Sequence, residues 1–245
     1  MMDSATLDAL PGFRRRLRVT PSPGQVIAAL EDDYHCMAVT LRHDGAVITG
    51  VESVMERVPW TTCPGAPAVL AATFNGVALA DVAARGEKKA NCTHLHDLTV
   101  LAAAHITDTH PTLYDIVTCD PVDGMAIAEI RRNGVASLQV AHRNHVMEAP
   151  AAIPGLSIMK LRDWIEGLDG RQREAAKLLQ WGAILANGRL IPMERQSTAS
   201  RVPPNCFTFQ PDNAAKAVCV GKVIDFTAAP LTPLDHFDGA SFSSR

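Results

Sequence analysis

Apolar and polar side chains alternate through much of the first sixty residues, and this alternation predicts strands. The predicted strands cover residues 13–19, a segment from Asp33 through Leu41, and residues 46–58. Residues 26–31 form a run that suits either a short helix or a strand. The tripeptide His43-Asp44-Gly45 predicts a hairpin turn between the second and third of these strands.

Helical periodicity first appears after residue 63. Pro64, directly after Cys63, predicts a helix that runs through Leu70. The apolar run 98–105 predicts another helix, beginning near Thr93, and residues 156–168 and 172–187 predict two more. A meander of strands is predicted at 114–119, 125–131 and 136–142, and a short strand at 206–209.

These elements predict an α+β fold in which an antiparallel sheet with helices is extended by an extra strand meander and C-terminal helices. Residues 1–228 are expected to form a single elaborated domain, with a core at 33–110 and the meander and helices at 111–228. Residues 229–245 are rich in Ala, Pro and Ser, which predicts a flexible tail.

The composition excludes several classes of protein. The chain has 245 residues, of which 47% are hydrophobic, and a net charge of −3, which argues against nucleic-acid binding. Charge or proline interrupts every apolar run before it could span a membrane, and the first eleven residues do not resemble a secretion signal. The six cysteines show no close pairing, which is typical of reduced thiols in the cytoplasm. Phosphate-loop, dinucleotide-binding and serine-hydrolase motifs are missing from the sequence.

The segment Asn91 to Asp97 carries the densest group of metal-capable side chains. If a helix begins near Thr93, Cys92 and His96 lie four residues apart on one face, and His94 points elsewhere. A thiolate and an imidazole one turn apart suit a borderline-soft ion such as zinc. The alternative is a buried cysteine beside two histidines on the helix surface.

Other candidate ligands lie upstream. Asp33 and His35 are two apart on a predicted strand and should emerge on the same face. Cys63 and Cys92 each stand at a helix start, where the helix dipole favours a thiolate. The predicted metal ligands are Asp33, His35, Cys63, Cys92 and His96. The expected ion is a divalent metal, zinc or iron.

Residues 33–105 resemble the iron–sulfur cluster scaffold family of the IscU/NifU type. The resemblance lies in Asp33-Tyr34-His35-Cys36-Met37, in Thr62-Cys63-Pro64-Gly65-Ala66-Pro67-Ala68 and in Asn91-Cys92-Thr93-His94-Leu95. It implies the scaffold fold, with Asp33 in place of the family's cysteine and His35 in place of its aspartate. Because these two ligands are harder than thiolates, they favour a single divalent metal over a cluster.

Over its whole length the chain is similar to a bacterial domain-of-unknown-function family whose members occur in bacteria that degrade aromatic and steroid-like compounds. The similarity lies in residues 13–17, 31–35, 59–66, 91–98 and 206–211. It implies a catabolic enzyme with a small aromatic or alicyclic substrate. The expected reaction is that of a metal-dependent lyase or hydrolase, including deformylating or retro-aldol cleavage of an aromatic side chain.

A metal would act as a Lewis acid or lower the pKa of bound water, and nearby side chains would carry protons. The predicted catalytic residues are His35, His94, Tyr34 and Glu31, with Asp32 as a further proton carrier. Trp60 suits either an aromatic wall of the substrate site or ordinary core packing.

Three alternative functions remain open. The first is a non-enzymatic carrier of a metal or an iron–sulfur cluster, which needs an exposed, exchangeable site. The second is a cofactor-free acid–base lyase, and the third uses Cys92 or Cys63 as a nucleophile. The cations Arg14, Arg16 and Arg18 share one strand face, which is expected to be solvated or to pair with a second copy in a homodimer.

Overall fold

The structure is a computed structural model that describes residues 2–191, 199–220, 223–228 and 231–237. Its strands are β1 (Gly12–Ser22), β2 (Gln25–Asp32), β3 (Cys36–His43), β4 (Ile48–Arg57), β5 (Thr112–Cys119), β6 (Met125–Arg132), β7 (Val135–Arg143) and β8 (Val146–Ala149). They form a sheet of order β4-β3-β2-β1-β5-β6-β7-β8, in which β2-β3-β4 and β5-β6-β7-β8 pair antiparallel. The predicted α+β class and antiparallel sheet are confirmed. The likeness to the IscU/NifU type stays a prediction.

The α-helices are α1 (Ser4–Asp8), α2 (Ala66–Phe74), α3 (Thr93–Ala104), α4 (Arg162–Glu166), α5 (Gly170–Ala186) and α6 (Pro211–Ala214). The predicted helix starts near Thr93 and after Pro64 are confirmed. The helix predicted over 156–168 is wrong in its first half, because the Ser157 side chain caps only a 3₁₀ turn before α4 begins. The strand predicted over 206–209 is also wrong, since Phe207–Phe209 forms a 3₁₀ turn. Four alternating residues are too few to separate these states.

The chain forms two compact units. Unit 1 comprises Met1–Arg16, Leu113–Pro192 and Asp225–Pro233, and unit 2 comprises Leu17–Thr112, Met193–Ile224 and Leu234–Arg245. Strand β1 begins in unit 1 and ends in unit 2. Within the described residues, no helix has both the length and the apolar character that crossing a bilayer requires.

In unit 2, strand β3 is buried at every position from Cys36 to Leu41. Both faces of the strand are covered, which explains why burial does not alternate. Helix α3 packs against β2 and β3. The small side chains of Ala29 and Ala38 pack against Leu234 and, at the edge of this cluster, Phe237.

Residues 231–237 belong to the segment expected to be a flexible tail. Leu234 is only 3% exposed, and its N–H donates to Glu31 Oε2 over 2.6 Å. The Arg18 guanidinium donates to the Phe237 carbonyl over 2.5 Å. These contacts hold residues 234–237 against the strands of unit 2. Residues 229–230 and 238–245 of the expected tail lie outside the described residues.

In unit 1, helix α5 packs on β6 and β7 of the four-stranded meander. The helix comes close to β5 because Gly182 has no side chain: a Cβ there would lie 2.8 Å from Ile116 Cγ2. Two of the predicted surface arginines bond within this unit. Arg16 pairs with Asp115 at 2.6 Å, and Arg14 donates to the Leu10 carbonyl over 2.7 Å. The expected homodimer stays a prediction.

Candidate metal centre

The two residues Asp33 and Tyr34 turn the chain between β2 and β3. The flanking residues Asp32 and His35 close the turn, because the Asp32 N–H donates to the His35 carbonyl over 2.8 Å. Asp32 Oδ1 also accepts hydrogen bonds from the backbone N–H groups of Tyr34 and His35, each at 2.8 Å. An Asp side chain that bonds the amides following it stabilises such a turn. The turn therefore places the Asp32 carboxylate beside His35.

The His35 ring is oriented by the same carboxylate. Its Nδ1 lies 3.0 Å from Asp32 Oδ1, and Asp32 is fully buried. The Asp32 carboxylate therefore sets the orientation of the His35 ring. A carboxylate that fixes a histidine in this way commonly supports metal binding or proton transfer.

Helix α3 brings a second imidazole to the first. His94 is the second residue of α3, and its ring lies 3.9 Å from the His35 ring, centroid to centroid, at an angle of 32°. Both histidines are 7% exposed. Helix α3 therefore places a second buried imidazole beside His35.

Arg57, the last residue of β4, stabilises the turn between β2 and β3. It is 7% exposed and donates to the carbonyls of Asp32 and Asp33, each at 2.7 Å. It also pairs with Glu31 Oε1 at 2.9 Å. Since Glu31 Oε2 accepts from the Leu234 N–H, one carboxylate connects Arg57 to the C-terminal segment. The Arg57 side chain therefore fixes the main chain of the site, and Glu31 connects Arg57 to the backbone of the C-terminal segment.

Asp32, His35 and His94 fit a divalent metal ion. One oxygen or nitrogen atom from each lies within 4.8 Å of the other two, and in the described part of the chain no other three acidic, histidine or cysteine side chains meet this condition. Two imidazoles and a carboxylate suit zinc or iron. Three protein ligands leave a coordination position open, as catalytic zinc sites do.

Of the predicted ligands, only His35 belongs to this group. Asp33 is not on a strand with His35: it lies in the turn, and its carbonyl accepts from Arg57 and from the Ile224 N–H. Its neighbour Asp32 supplies the carboxylate instead. The expected same-face geometry fails because β3 begins only at Cys36.

His96 also lies outside the group. Its ring packs 5.0 Å from that of Phe74, and its Nε2 lies 3.1 Å from the Gly86 carbonyl. The prediction placed Cys92 and His96 on one helical face. Cys92 is the N-cap residue of α3, with ψ 118°, and its carbonyl accepts from the His96 N–H over 2.9 Å.

Three thiols, those of Cys63, Cys92 and Cys206, lie near one another but outside the Asp32–His35–His94 group. Burial, with smaller contributions from the neighbouring Cys63 and Cys206, raises the pKa of the Cys92 thiol to about 12. Burial likewise raises the pKa of Cys63 and of Cys206. The prediction that a helix start favours a thiolate at Cys63 and Cys92 is therefore wrong, because the cost of burying the charge outweighs the helix dipole.

We expect Cys92 to resist alkylation in the folded protein. A pKa near 12 in place of 9.0 lowers the thiolate fraction at pH 8 by roughly a thousandfold, and only the thiolate reacts. Iodoacetamide treatment followed by peptide mass mapping measures this. All six cysteines should react in denaturant, which is the control. Rapid labelling of Cys92 under native conditions would contradict the expectation and would favour the cysteine-nucleophile alternative.

The remaining predicted site residues have other surroundings. Glu31 is held between Arg57 and the Leu234 N–H. Tyr34 is buried, with its ring edge-on to His35 at 6.2 Å. Trp60 lies in a buried cluster with Ala199 and Ala214, and its ring meets Phe209 edge-on at 5.8 Å.

Sequence reasoning did not identify Arg57 at all and treated Asp32 only as a proton carrier. A sequence signal did exist for Asp32, since an aspartate three residues before a histidine across a two-residue turn suits side-chain capping of that turn. There was no such signal for Arg57, because its hydrogen-bond partners lie more than twenty residues away in the sequence.

No protein-family model, curated protein or solved structure matches this chain.

Proposed function

We propose that this protein is a metal-dependent enzyme, a lyase or hydrolase, that acts on a small aromatic or alicyclic metabolite. The buried group of Asp32, His35 and His94, with donor atoms within 4.8 Å of one another, is the observation that carries the proposal. Burial favours the enzyme over a carrier, because a carrier must expose its site to exchange its cargo. A reducing cytoplasm is the expected compartment, since all six cysteines are free thiols.

A bound divalent ion would supply Lewis acidity, polarising a carbonyl or hydroxyl group or lowering the pKa of water. Asp32 orients the His35 ring through the 3.0 Å contact between its Oδ1 and His35 Nδ1. His94, whose ring lies 3.9 Å from that of His35, would hold the ion together with these two residues. The Tyr34 ring lies edge-on to His35 at 6.2 Å.

The proposed substrate class rests on the resemblance of residues 31–35 and 59–66 to the bacterial domain-of-unknown-function family described above. Retro-aldol or deformylating cleavage of an aromatic side chain is the lyase reaction we favour. It needs a polarised oxygen, which the metal would provide, and a base that removes the hydroxyl proton.

The test is elemental analysis of protein purified without a metal-affinity tag, followed by activity screening. We expect about one zinc or iron per chain at this centre and turnover of aromatic β-hydroxy compounds that a chelator abolishes and the same metal restores. Turnover that persists in metal-free protein would refute the metal-dependent proposal.

A second candidate is a cofactor-free acid–base lyase. The 3.0 Å contact between Asp32 and His35 favours it, because a carboxylate–imidazole pair is itself a general base. Activity in metal-free protein that is lost in His35→Gln would support this candidate.

A further inference from the structure

Unit 1 contains a cavity of about 60 Å³ between the ends of β5 and β7 and the C-terminal end of α5. Its wall includes Thr118, Asp120, His142, His145 and Asn187. All of them belong to unit 1, whereas the Asp32–His35–His94 group belongs to unit 2. The cavity is therefore a separate feature.

Small side chains on the middle strand create this space. Ala126 pairs with His142 across β6 and β7, and Ala128 pairs with Val140 on β7 and with Thr118 on β5. Directly paired residues point to the same face of a sheet. On the face that α5 covers, only the methyl groups of Ala126 and Ala128 therefore lie between Thr118 and His142.

Two polar side chains at the cavity are buried without partners. His142 is 3% exposed, and neither of its ring nitrogens has a hydrogen-bond partner among the described residues. The Thr118 hydroxyl, on a residue 2% exposed, also lacks one within that part of the chain. Leaving buried polar groups unpaired is costly, so they mark a place where something else binds.

His145 presents a lone pair at the same wall. Its Nε2 lies 2.9 Å from Asn187 Oδ1, while Asn187 Nδ2 donates to the Ile184 carbonyl over 3.1 Å. The amide orientation is thereby set, so His145 Nε2 carries the hydrogen and Nδ1 is the acceptor. Histidines that bind metals commonly donate their other N–H to an oxygen in this way.

We propose that this cavity is a second metal site, which takes a divalent transition-metal ion such as zinc through His142 and His145. The two rings lie 6.0 Å apart, centroid to centroid, at an angle of 50°. Imidazole nitrogen is a preferred ligand of these ions. The Thr118 hydroxyl and water complete the coordination, for which the cavity has room.

The electrostatic surroundings favour a cation. Ala186, the last residue of α5, lines the cavity, and the C-terminal end of a 17-residue helix carries partial negative charge. The Asp120 carboxylate is also at the wall, although Arg189 pairs with it at 2.9 Å and offsets its charge. The histidines are therefore the ligands and Asp120 is not.

The test is a zinc titration by calorimetry, with bound zinc counted by elemental analysis after dialysis. Wild type is expected to bind one equivalent at this cavity, and His142→Gln to lose it. His145→Asn should weaken binding by at least tenfold. It is the safer variant for folding, because His145 has φ +70° and asparagine tolerates that conformation. The exposed His110→Asn is the matched control and should change nothing.

The test separates this site from the first one. If one equivalent of zinc is lost in His142→Gln but kept in His94→Gln, the cavity site is supported, whether or not the Asp32–His35–His94 group binds metal. Equal zinc binding by wild type, His142→Gln and His145→Asn would overturn the proposal and leave the cavity to ordered water. Loss in His94→Gln alone would support only the proposed function.

Discussion

His94→Gln is expected to lose the metal bound at the candidate centre, whereas His96→Gln should keep it. The two histidines are neighbours on α3 and both are buried. His94 is stacked on His35 within the Asp32 group, while His96 packs on Phe74 outside it. Removing a supporting contact around a metal ligand costs about 10–100-fold in affinity, so removing a ligand should cost more than 100-fold.

The measurement is competition with a chromogenic chelator at equilibrium, with thermal unfolding to confirm that both variants are folded. The pair is informative because the sequence pattern favoured His96 and the structure favours His94. Loss of metal from His96→Gln, with retention in His94→Gln, would show that the Cys92–His96 prediction had identified the true site. The variants Asp32→Asn and Asp33→Asn make the same comparison on the turn between β2 and β3. Asp32→Asn is expected to lose the metal and Asp33→Asn to keep it.

Arg57→Met is expected to reduce the free energy of unfolding by about 3–5 kcal/mol. The substitution keeps the apolar stem but leaves the Glu31 carboxylate without its cation, in a pair whose side chains are 6% and 13% exposed. It also removes donors from the carbonyls of Asp32 and Asp33. Urea unfolding followed by circular dichroism measures the change.

Arg42→Met is the matched control for Arg57→Met. Arg42 pairs with Glu52 at 3.5 Å, but these side chains are 45% and 58% exposed, so the pair should contribute less than about 1 kcal/mol. Equal effects of the two substitutions would contradict the role given to Arg57. Because Arg57 fixes the turn carrying Asp32 and His35, metal affinity in Arg57→Met should also fall by about 10–100-fold.

Local patterns were enough for most of the secondary structure. The Asp123-Gly124 and Asn133-Gly134 pairs punctuate the meander, and each pair adopts positive φ as such turns require. The start of α3 was also predicted correctly, because the apolar periodicity begins at residues 91–97. Residues 146–149 were not predicted as a strand, since four residues carry too little periodicity.

The sequence predicted the candidate site to within one or two residues: His35 was a predicted ligand, whereas Asp32 and His94 were predicted only as proton carriers. The sequence placed the candidate residues just before β3 and in the first turn of α3, because strand and helix periodicity are local properties. Only the tertiary structure decided between Asp32 and Asp33 and between His94 and His96. A shift of one residue at a strand end, or of two on a helix, turns a side chain to a different face, and packing sets that position. The bond from Leu234 to Glu31 spans 203 residues, a separation over which no local pattern carries information.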